Sequence, residues 1–137
     1  MNSAGLVTFV GVAHPWMCDA MGHVNVRHYT AMFDDASFQL LGRLAVPDDR
    51  LGWADARCEI DYHHEIAAGS VLTIHSYVER LGNSSLTCTH VLTGSVDGTL
   101  HAKARIVTVR FDLTTRSKTD LGVSVRTNAE ALLRREG

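Results

Sequence analysis

The chain has 137 residues and a net charge of −2, from 13 basic and 15 acidic residues. Hydrophobic residues make up 45% of it and charged residues 20%, the usual balance of a globular protein. No run of Lys and Arg breaks this balance, which argues against a nucleic-acid partner bound through its phosphates. The length predicts a single domain over residues 1–137.

The sequence also bears on the cellular compartment. The N-terminal residues lack the basic and long apolar segments of a secretory signal, and no stretch approaches the length of a membrane span. The three cysteines, Cys18, Cys58 and Cys88, are odd in number and have no CxxC spacing. We therefore expect a reduced, cytoplasmic chain without a membrane segment.

The first elements in chain order are a strand over about residues 5–13, a loop over Trp16–Val24 and a long helix over about Val26–Leu44. Asn25 is suited to cap the helix, which would leave the amides just after it unpaired. The turn residues at Pro47-Asp48-Asp49 predict the end of the helix. One helix face carries the apolar side chains of Tyr29, Met32, Phe33, Ala36 and Leu40.

Four strand-like segments follow the helix. In the first, "WADARCEIDYHHEI", the alternation predicts one apolar face. Asp97-Gly98 predicts a hairpin before the last segment, and residues Asn128–Arg135 predict a short C-terminal helix. Because one helix and one antiparallel sheet must bury their apolar faces against each other, we predict an α+β fold with about five strands wrapped around one long central helix. The residues expected on that apolar strand face are Ala54, Ala56, Cys58, Ile60 and Tyr62.

The loop before the helix carries a recognisable motif. Asp19-Ala20-Met21-Gly22-His23-Val24-Asn25, followed by Tyr29, resembles the D-x-x-x-H-V-N…Y signature of hotdog-fold acyl-CoA thioesterases of the 4-hydroxybenzoyl-CoA thioesterase type. Phe33-Asp34-Asp35-Ala36 is similar to the acidic pair on the family's helix. Tyr62, Ala68-Gly69 and Leu81–Ser85 resemble its later strand and turn pattern. The resemblance spans roughly residues 7–112.

This resemblance implies a hotdog fold, a homodimer or homotetramer, and an active site at the subunit interface. It implies that Asp19 is the catalytic carboxylate and that the helix N-terminus binds the thioester carbonyl oxygen. The chain departs from many relatives at Val26, where they carry a second asparagine. No metal or organic cofactor is implied, since coenzyme A enters as part of the substrate. We expect His23 as a second catalytic residue and substrate contacts from Gly22, Val24, Asn25 and Tyr29.

Thioester hydrolysis develops negative charge on the carbonyl oxygen, for which backbone amides at a helix N-terminus are suitable donors. Asp19 could attack the carbonyl directly or deprotonate a water molecule. The neighbouring Trp16, Met17, Cys18 and Met21 are expected to pack over it. His23 could orient the substrate or simply pack the loop, Asn25 is explained by capping, and Tyr29 begins the core face.

Other residues are candidates for supporting roles. Asp34 and Asp35 are expected at a solvated face or a subunit contact, and Phe33, Phe38 and Trp53 in the lining of an acyl pocket for a medium aliphatic or aromatic group. The candidates for coenzyme A contacts are Arg27, His28, Arg57, Arg80 and the turn Asn83-Ser84-Ser85.

Two other functions on the same fold remain open at this stage: a hydratase or dehydratase acting on acyl thioesters, and a non-catalytic protein that binds an acyl thioester. His14, Cys18 and His23 lack the spacing of a zinc site, and His63-His64 falls on both faces of a strand end. Serine hydrolase chemistry has no support, because the chain contains no GxSxG motif.

Overall fold

One antiparallel sheet and one long helix make up most of the fold in the computed structural model, which describes residues 5–134. This confirms the predicted α+β hotdog architecture. A three-residue 3₁₀ helix, Pro15–Met17, lies between the first strand and the long helix. The elements are β1 (Leu6–Val12), α1 (Val26–Leu44), β2 (Leu51–Tyr62), β3 (Val71–Leu81), β4 (Ser85–Gly94), β5 (Leu100–Asp112), β6 (Ser117–Lys118) and α2 (Val123–Ala131).

Helix α1 begins and ends where its sequence predicts. Asn25 caps it by accepting a hydrogen bond from the Arg27 amide through its side chain, and Ala45 leaves the helix in an extended conformation. The face predicted to be apolar is buried, as are Ser37 and Leu44. Within residues 5–134, neither helix is both long enough and apolar enough to cross a bilayer.

The strands pair in the order β1-β3-β4-β5-β2, all antiparallel. About five strands were predicted; the sixth is the two-residue β6, which pairs with the end of β5. The predicted hairpin before β5 is present, with Gly98 at a φ of 74°, a left-handed conformation that glycine adopts without strain. Strands β1 and β2 therefore form the two edges of the sheet.

Helix α1 covers only part of this sheet. It packs mainly on β1, β3 and β4, on what we call the inner face. Strand β2 lies beyond the helix, and most of its residues are exposed. The inner face of this edge strand is thus covered only in part, by contacts of Trp53, Ile60 and Tyr62 with the core and with α1.

A β-bulge changes which β2 residues lie on the inner face. Asp55 pairs with Thr108, but Arg57 pairs with Val107, so one strand gains a residue between them. The side chains of paired residues in antiparallel strands point to the same face of the sheet, and Thr108 is buried on the inner face. The predicted alternation was therefore wrong before the bulge, where Asp55 lies on the inner face and Ala54 on the outer one.

The C-terminal helix was also predicted at the wrong position. Helix α2 spans Val123–Ala131 instead of residues 128–135, and Arg135 lies outside the described residues. Val125 and Ala129 are buried against the end of α1, and the Asn128 side-chain amide donates to the Leu44 carbonyl at 2.9 Å. The hydrogen bond satisfies a carbonyl at the end of α1. Packing against α1 thus places α2 at residues earlier in the chain than the sequence pattern indicated.

A chain of polar side chains runs through the core beneath α1. The hydroxyls of Thr8 and Ser76 lie 2.7 Å apart, and Ser76 also bonds to Nδ1 of His90. All three residues are buried, and the His90 ring contacts Phe33 of α1. Three strands, β1, β3 and β4, are joined by this chain, but Nε2 of His90 makes no hydrogen bond within the described structure.

The buried His90 ring makes stability depend on pH. Burial lowers its pKa from 6.5 to about 4, so the folded chain favours the neutral ring. Stability should therefore fall as pH drops from 6.5 toward 4, by up to about 3 kcal/mol at about 1.4 kcal/mol per pKa unit. Urea unfolding at pH 7 and pH 4.5 measures this loss.

His90→Gln should lose less stability over this interval than the unaltered chain; the control His75→Gln, at a half-buried strand position, should lose as much as the unaltered chain. Equal losses in all three proteins would contradict the prediction.

Candidate active site

The loop before α1 is a tight, closed turn. Cys18 and Val24 form a short antiparallel bridge, the Asp19 amide donates to the His23 carbonyl at 3.0 Å, and the Gly22 amide donates to the Asp19 carbonyl at 2.9 Å. Gly22 has a φ of 84°, which a residue with a side chain would adopt only under strain. Gly22 therefore shapes the turn that presents Asp19.

The Asp19 carboxylate lies beside the start of α1. Its Oδ1 accepts a hydrogen bond from the Met21 amide at 2.9 Å, and its Oδ2 accepts one from Asn25 Nδ2 at 3.1 Å. The same Asn25 side chain uses its Oδ1 to accept the Arg27 amide at 3.0 Å. One asparagine thus caps the helix and orients the carboxylate.

The first amides of α1 differ in their hydrogen bonding. The Arg27 amide is bound by the Asn25 side chain, and the His28 amide donates to the Asn25 carbonyl at 3.0 Å. The Val26 amide makes no hydrogen bond within residues 5–134. The predicted set of free amides was too broad, and Val26 supplies the one of these three that is available to a ligand.

The side chain of His23 is directed to Glu65 and not to Asp19. Its Nε2 lies 3.1 Å from Glu65 Oε2, while its buried Nδ1 makes no hydrogen bond in the described structure. His23 touches Asp19 through the backbone, by the hydrogen bond that closes the turn. Glu65 is a residue that the motif did not indicate.

Two tyrosines form the apolar wall of the site. The rings of Tyr29 and Tyr62 meet edge to face with centroids 5.1 Å apart, which joins α1 to the end of β2. Burial raises the pKa of Tyr29, and the nearby Tyr62 and Glu65 raise it further, while a hydrogen bond with the Ile66 backbone opposes them. Tyr29 therefore remains a neutral phenol.

These elements enclose a cavity of about 290 Å³, which we call the site cavity. Four of the predicted residues line it: Asp19, His23, Val24 and Tyr29. Gly22 and Asn25 do not line it but hold Asp19 in place. The sequence analysis missed four lining residues after the bulge and beyond the strand end: Tyr62, His63, His64 and Glu65.

The predicted apolar cover over Asp19 does not form within one chain. Trp16 and Met21 are 72% and 78% exposed, and Asp19 is exposed. The Trp16 ring instead stacks on His14 and meets the edge of His28. The open side of the site therefore carries exposed aromatic and apolar groups.

A larger cleft of about 730 Å³ lies between the C-terminal half of α1 and the start of β2. We call it the α1–β2 cleft. Phe38 and Trp53, which were predicted to line an acyl pocket, line this cleft, whereas Phe33 does not, since it is 1% exposed and packs in the core. Arg110 of β5 also lines the cleft, and no pattern in the sequence indicated it. The remaining lining residues are Asp34, Ser37, Leu41, Gly42, Ala45, Val46, Pro47, Asp48, Leu51 and Asp55.

The candidates for coenzyme A contacts fall in different places. Arg27 and His28 lie in the first turn of α1, next to the site cavity. Arg57 forms an ion pair with Glu59 at 3.2 Å on the outer face of β2. Arg80 and the turn 83–85 lie at the C-terminal end of β3. The N-terminal end of β3 is the one that follows Ile66, whose carbonyl accepts a hydrogen bond from the Val24 amide near the site. Only the first two are close to the site within one chain.

Comparison with solved structures supports the fold. A thioesterase from Thermus thermophilus, complexed with coenzyme A and Zn, has 25% identity and a TM-score of 0.81, with 96% of each chain covered. A predicted thioesterase from Bacillus stearothermophilus has 24% identity and a TM-score of 0.81, covering 94% of this chain and 98% of that one. The protein SAV2348 from Staphylococcus aureus, in complex with CoA, has 16% identity and a TM-score of 0.83, covering 100% and 92%.

Comparison of sequences identifies the family. No curated protein sequence matches the chain significantly. A family model, described as the thioesterase-like superfamily, matches residues 13–129. That range contains the Asp19 loop, the whole of α1 and all of the sheet except β1. The chain therefore belongs to the thioesterase-like superfamily, and it is a hotdog-type thioesterase, an enzyme that hydrolyses thioesters.

Proposed function

We propose that this thioesterase hydrolyses acyl-CoA esters at the site cavity, with Asp19 as the catalytic carboxylate. The observation that carries the proposal is the position of Asp19 Oδ2, 3.1 Å from the residue that caps α1, next to the unbound Val26 amide. A carboxylate and an amide donor thereby face one small cavity. Coenzyme A is favoured because the Thermus and Staphylococcus neighbours both bind it.

The start of α1 stabilises the developing oxyanion. As the carbonyl carbon becomes tetrahedral, its oxygen gains negative charge. This oxygen accepts a hydrogen bond from the Val26 amide, which lies at the positive end of the helix dipole. A donor that is fixed before the reaction needs no rearrangement when the charge appears. Asn25 fixes the position of this amide relative to Asp19, because its side chain binds both the helix start and the carboxylate.

Asp19 can act by two routes. It can attack the carbonyl carbon, expel the thiolate and form a mixed anhydride that water then cleaves, or it can take a proton from water as the water attacks. Either route releases a thiolate, whose conjugate thiol has a pKa of about 8.5, so the leaving group needs little help from an acid. This is consistent with a site in which His23 is paired with Glu65 and does not approach the Asp19 side chain.

We assign His23 to the binding of substrate. Its ring forms one wall of the site cavity, and Glu65 fixes its orientation. The buried Nδ1 lacks a partner in the described structure and is available to a polar group of the bound ester. Val24 and Tyr29 supply the apolar surface beside it, and we expect Arg27 and His28, in the first turn of α1, to contact the phosphates of coenzyme A.

The active enzyme is proposed to be a homodimer joined through β2. This edge strand has twelve residues, an unpaired edge and an inner face that is covered only in part within the described chain. Two β2 strands that paired antiparallel about a two-fold axis would continue the sheet and cover both edges. A tetramer would require further contacts beyond this pair.

Such a dimer would bring two different cavities together. In one chain the site cavity lies at the end of β2, near Tyr62, and the α1–β2 cleft lies at its start, near Trp53. Antiparallel pairing places the end of one β2 beside the start of the other. The acyl group held at Asp19 of one subunit would therefore extend into the cleft of its partner.

Substituting Asp19 should abolish most of the activity. We expect Asp19→Ala and Asp19→Asn to lower kcat for acyl-CoA hydrolysis by about 10²- to 10⁴-fold, because neither side chain can act as a base or as a carboxylate nucleophile. Thiol release from a panel of acyl-CoA esters measures the effect. The control Asp49→Asn, at an exposed turn outside both cavities, should keep the original rate. An Asp19→Ala enzyme of unchanged rate and fold would place the chemistry elsewhere.

Replacing Val26 by proline should remove the oxyanion donor alone. Proline is well tolerated at the first position of a helix, and Asn25, with φ −70° and ψ 146°, has the conformation preferred before proline. We expect Val26→Pro to lower kcat by about 10²- to 10³-fold with little change in Tm. Val26→Ala keeps the amide and should keep the rate. If both variants were equally active, the Val26 amide would not bind the oxyanion.

Mixed dimers can test the shared site. Gly42 lines the cleft and has open space around it, so Gly42→Trp should fill the cleft without disturbing the core. Asp19→Ala and Gly42→Trp should each be inactive alone. Co-expression should restore about a quarter of the original activity, since half of a random mixture is hybrid and each hybrid keeps one intact site of two. If each subunit used its own cleft, no activity would return.

A further inference from the structure

Arg110 is an unusual residue in the wall of the α1–β2 cleft. Its side chain comes from β5 on the inner face of the sheet, and the residue is only 6% exposed. Charged side chains are rarely so buried without a partner of opposite charge. Within residues 5–134, no carboxylate forms an ion pair with it.

The hydrogen bonds of Arg110 are incomplete. Its Nη1 donates to the Gly52 carbonyl at 3.5 Å, which is a long contact, and its buried Nε makes no hydrogen bond in the described part of the chain. The guanidinium lies over the ring of Trp53, with Cζ 4.6 Å from the ring centre. Trp53 therefore holds the guanidinium in place while leaving a donor without an acceptor.

Burying the Arg110 guanidinium without a partner of opposite charge costs free energy, which the rest of the chain offsets only in part. It lowers the pKa of Arg110, and the nearby Asp48 opposes this. The cleft also contains the end of α1, where the helix dipole is negative. A ligand oxygen that accepted the free N–H would remove the remaining penalty.

The rest of the cleft indicates which oxygen would fit. Phe38, Leu41 and Trp53 provide apolar walls, which suit a hydrocarbon or aryl body. Asp34, Asp48 and Asp55 line the same cleft, so an anionic ligand would meet three carboxylates and a single cation. A neutral acceptor, such as a carbonyl or ether oxygen, avoids that repulsion.

We propose that Arg110 is a specificity-determining residue that selects acyl groups with a neutral oxygen acceptor at the end remote from the thioester. The inference rests on the proposed function, in which the acyl group enters this cleft. It deepens that function by naming the substrate class: an apolar acyl chain or aryl ring with a distal carbonyl or ether oxygen. A plain hydrocarbon would leave the guanidinium unpaired and would bind less well.

Two pairs of esters test the proposal: hexanoyl-CoA with 5-oxohexanoyl-CoA, and benzoyl-CoA with 4-methoxybenzoyl-CoA. Their Kd values are measured by calorimetry on the Asp19→Ala enzyme, with and without Arg110→Met, so that the readout does not depend on turnover. Methionine keeps most of the packing, and replacing a buried unpaired charge by an apolar side chain is often tolerated. Circular dichroism and Tm confirm that the variant is folded.

We expect the oxygenated ester of at least one pair to bind more tightly, and Arg110→Met to reduce that preference by about 10- to 100-fold. Affinity for the hydrocarbon esters should change little. The control Arg43→Met removes an exposed charge from the last turn of α1, outside the cleft, and should keep the preference. Arg110→Lys keeps the charge without the Nε donor and should fall between them.

Equal affinity for both members of each pair, or an equal loss for both in Arg110→Met, would overturn the assignment of Arg110. A separate measurement of thiol release by the unaltered enzyme tests the underlying reaction. If the esters bind with the expected preference but no thiol is released, acyl-CoA hydrolysis fails and the specificity of the cleft stands. If thiol is released without the preference, the reverse holds.

Discussion

A single side-chain amide connects the two parts of the proposed active site. Asn25 accepts the Arg27 amide with one end and donates to Asp19 with the other, so the helix start and the carboxylate have a fixed separation. The Gly22 turn supplies the loop shape that makes this contact possible. The Val26 amide makes no hydrogen bond within residues 5–134, and Val26 and Asp19 line the same cavity. The cap of the helix and the orientation of the proposed catalytic carboxylate thus depend on the same side chain.

The second feature that organises the molecule is incomplete coverage of the sheet. Helix α1 packs over β1, β3 and β4, where a polar chain from Thr8 to His90 ties the strands beneath it. Strand β2 is covered only in part, and both cavities lie along the space between it and α1. The half of the sheet that α1 covers thus holds much of the core, and the less covered half is where a second subunit and the acyl group are proposed to bind.

Local patterns in the sequence were sufficient for some parts of this structure. The cap at Asn25 and the apolar period of α1 predicted that helix over its observed range, and the loop motif predicted four residues of the site cavity. The bulge at Asp55–Arg57 was missed because one extra residue in a strand leaves no mark on composition. Arg110 and Glu65 could not be found either, since their importance depends on what other strands and loops bring near them. Features within one element could therefore be predicted from the sequence, whereas contacts between elements that are distant in the chain could not.

The bulge in β2 has a further meaning for how such an enzyme can change. It separates the strand into two segments: Tyr62 lines the site cavity at one end, and Trp53 and Asp55 line the α1–β2 cleft at the other. Loss of the extra residue there would restore a regular ladder in which Trp53 still pairs with Arg110 and Tyr62 still pairs with Ala102, so both segments would keep their present inner faces. A single deletion could thus straighten the strand and change the shape of the cleft in one evolutionary step, without altering which side chains face the cleft or the site cavity.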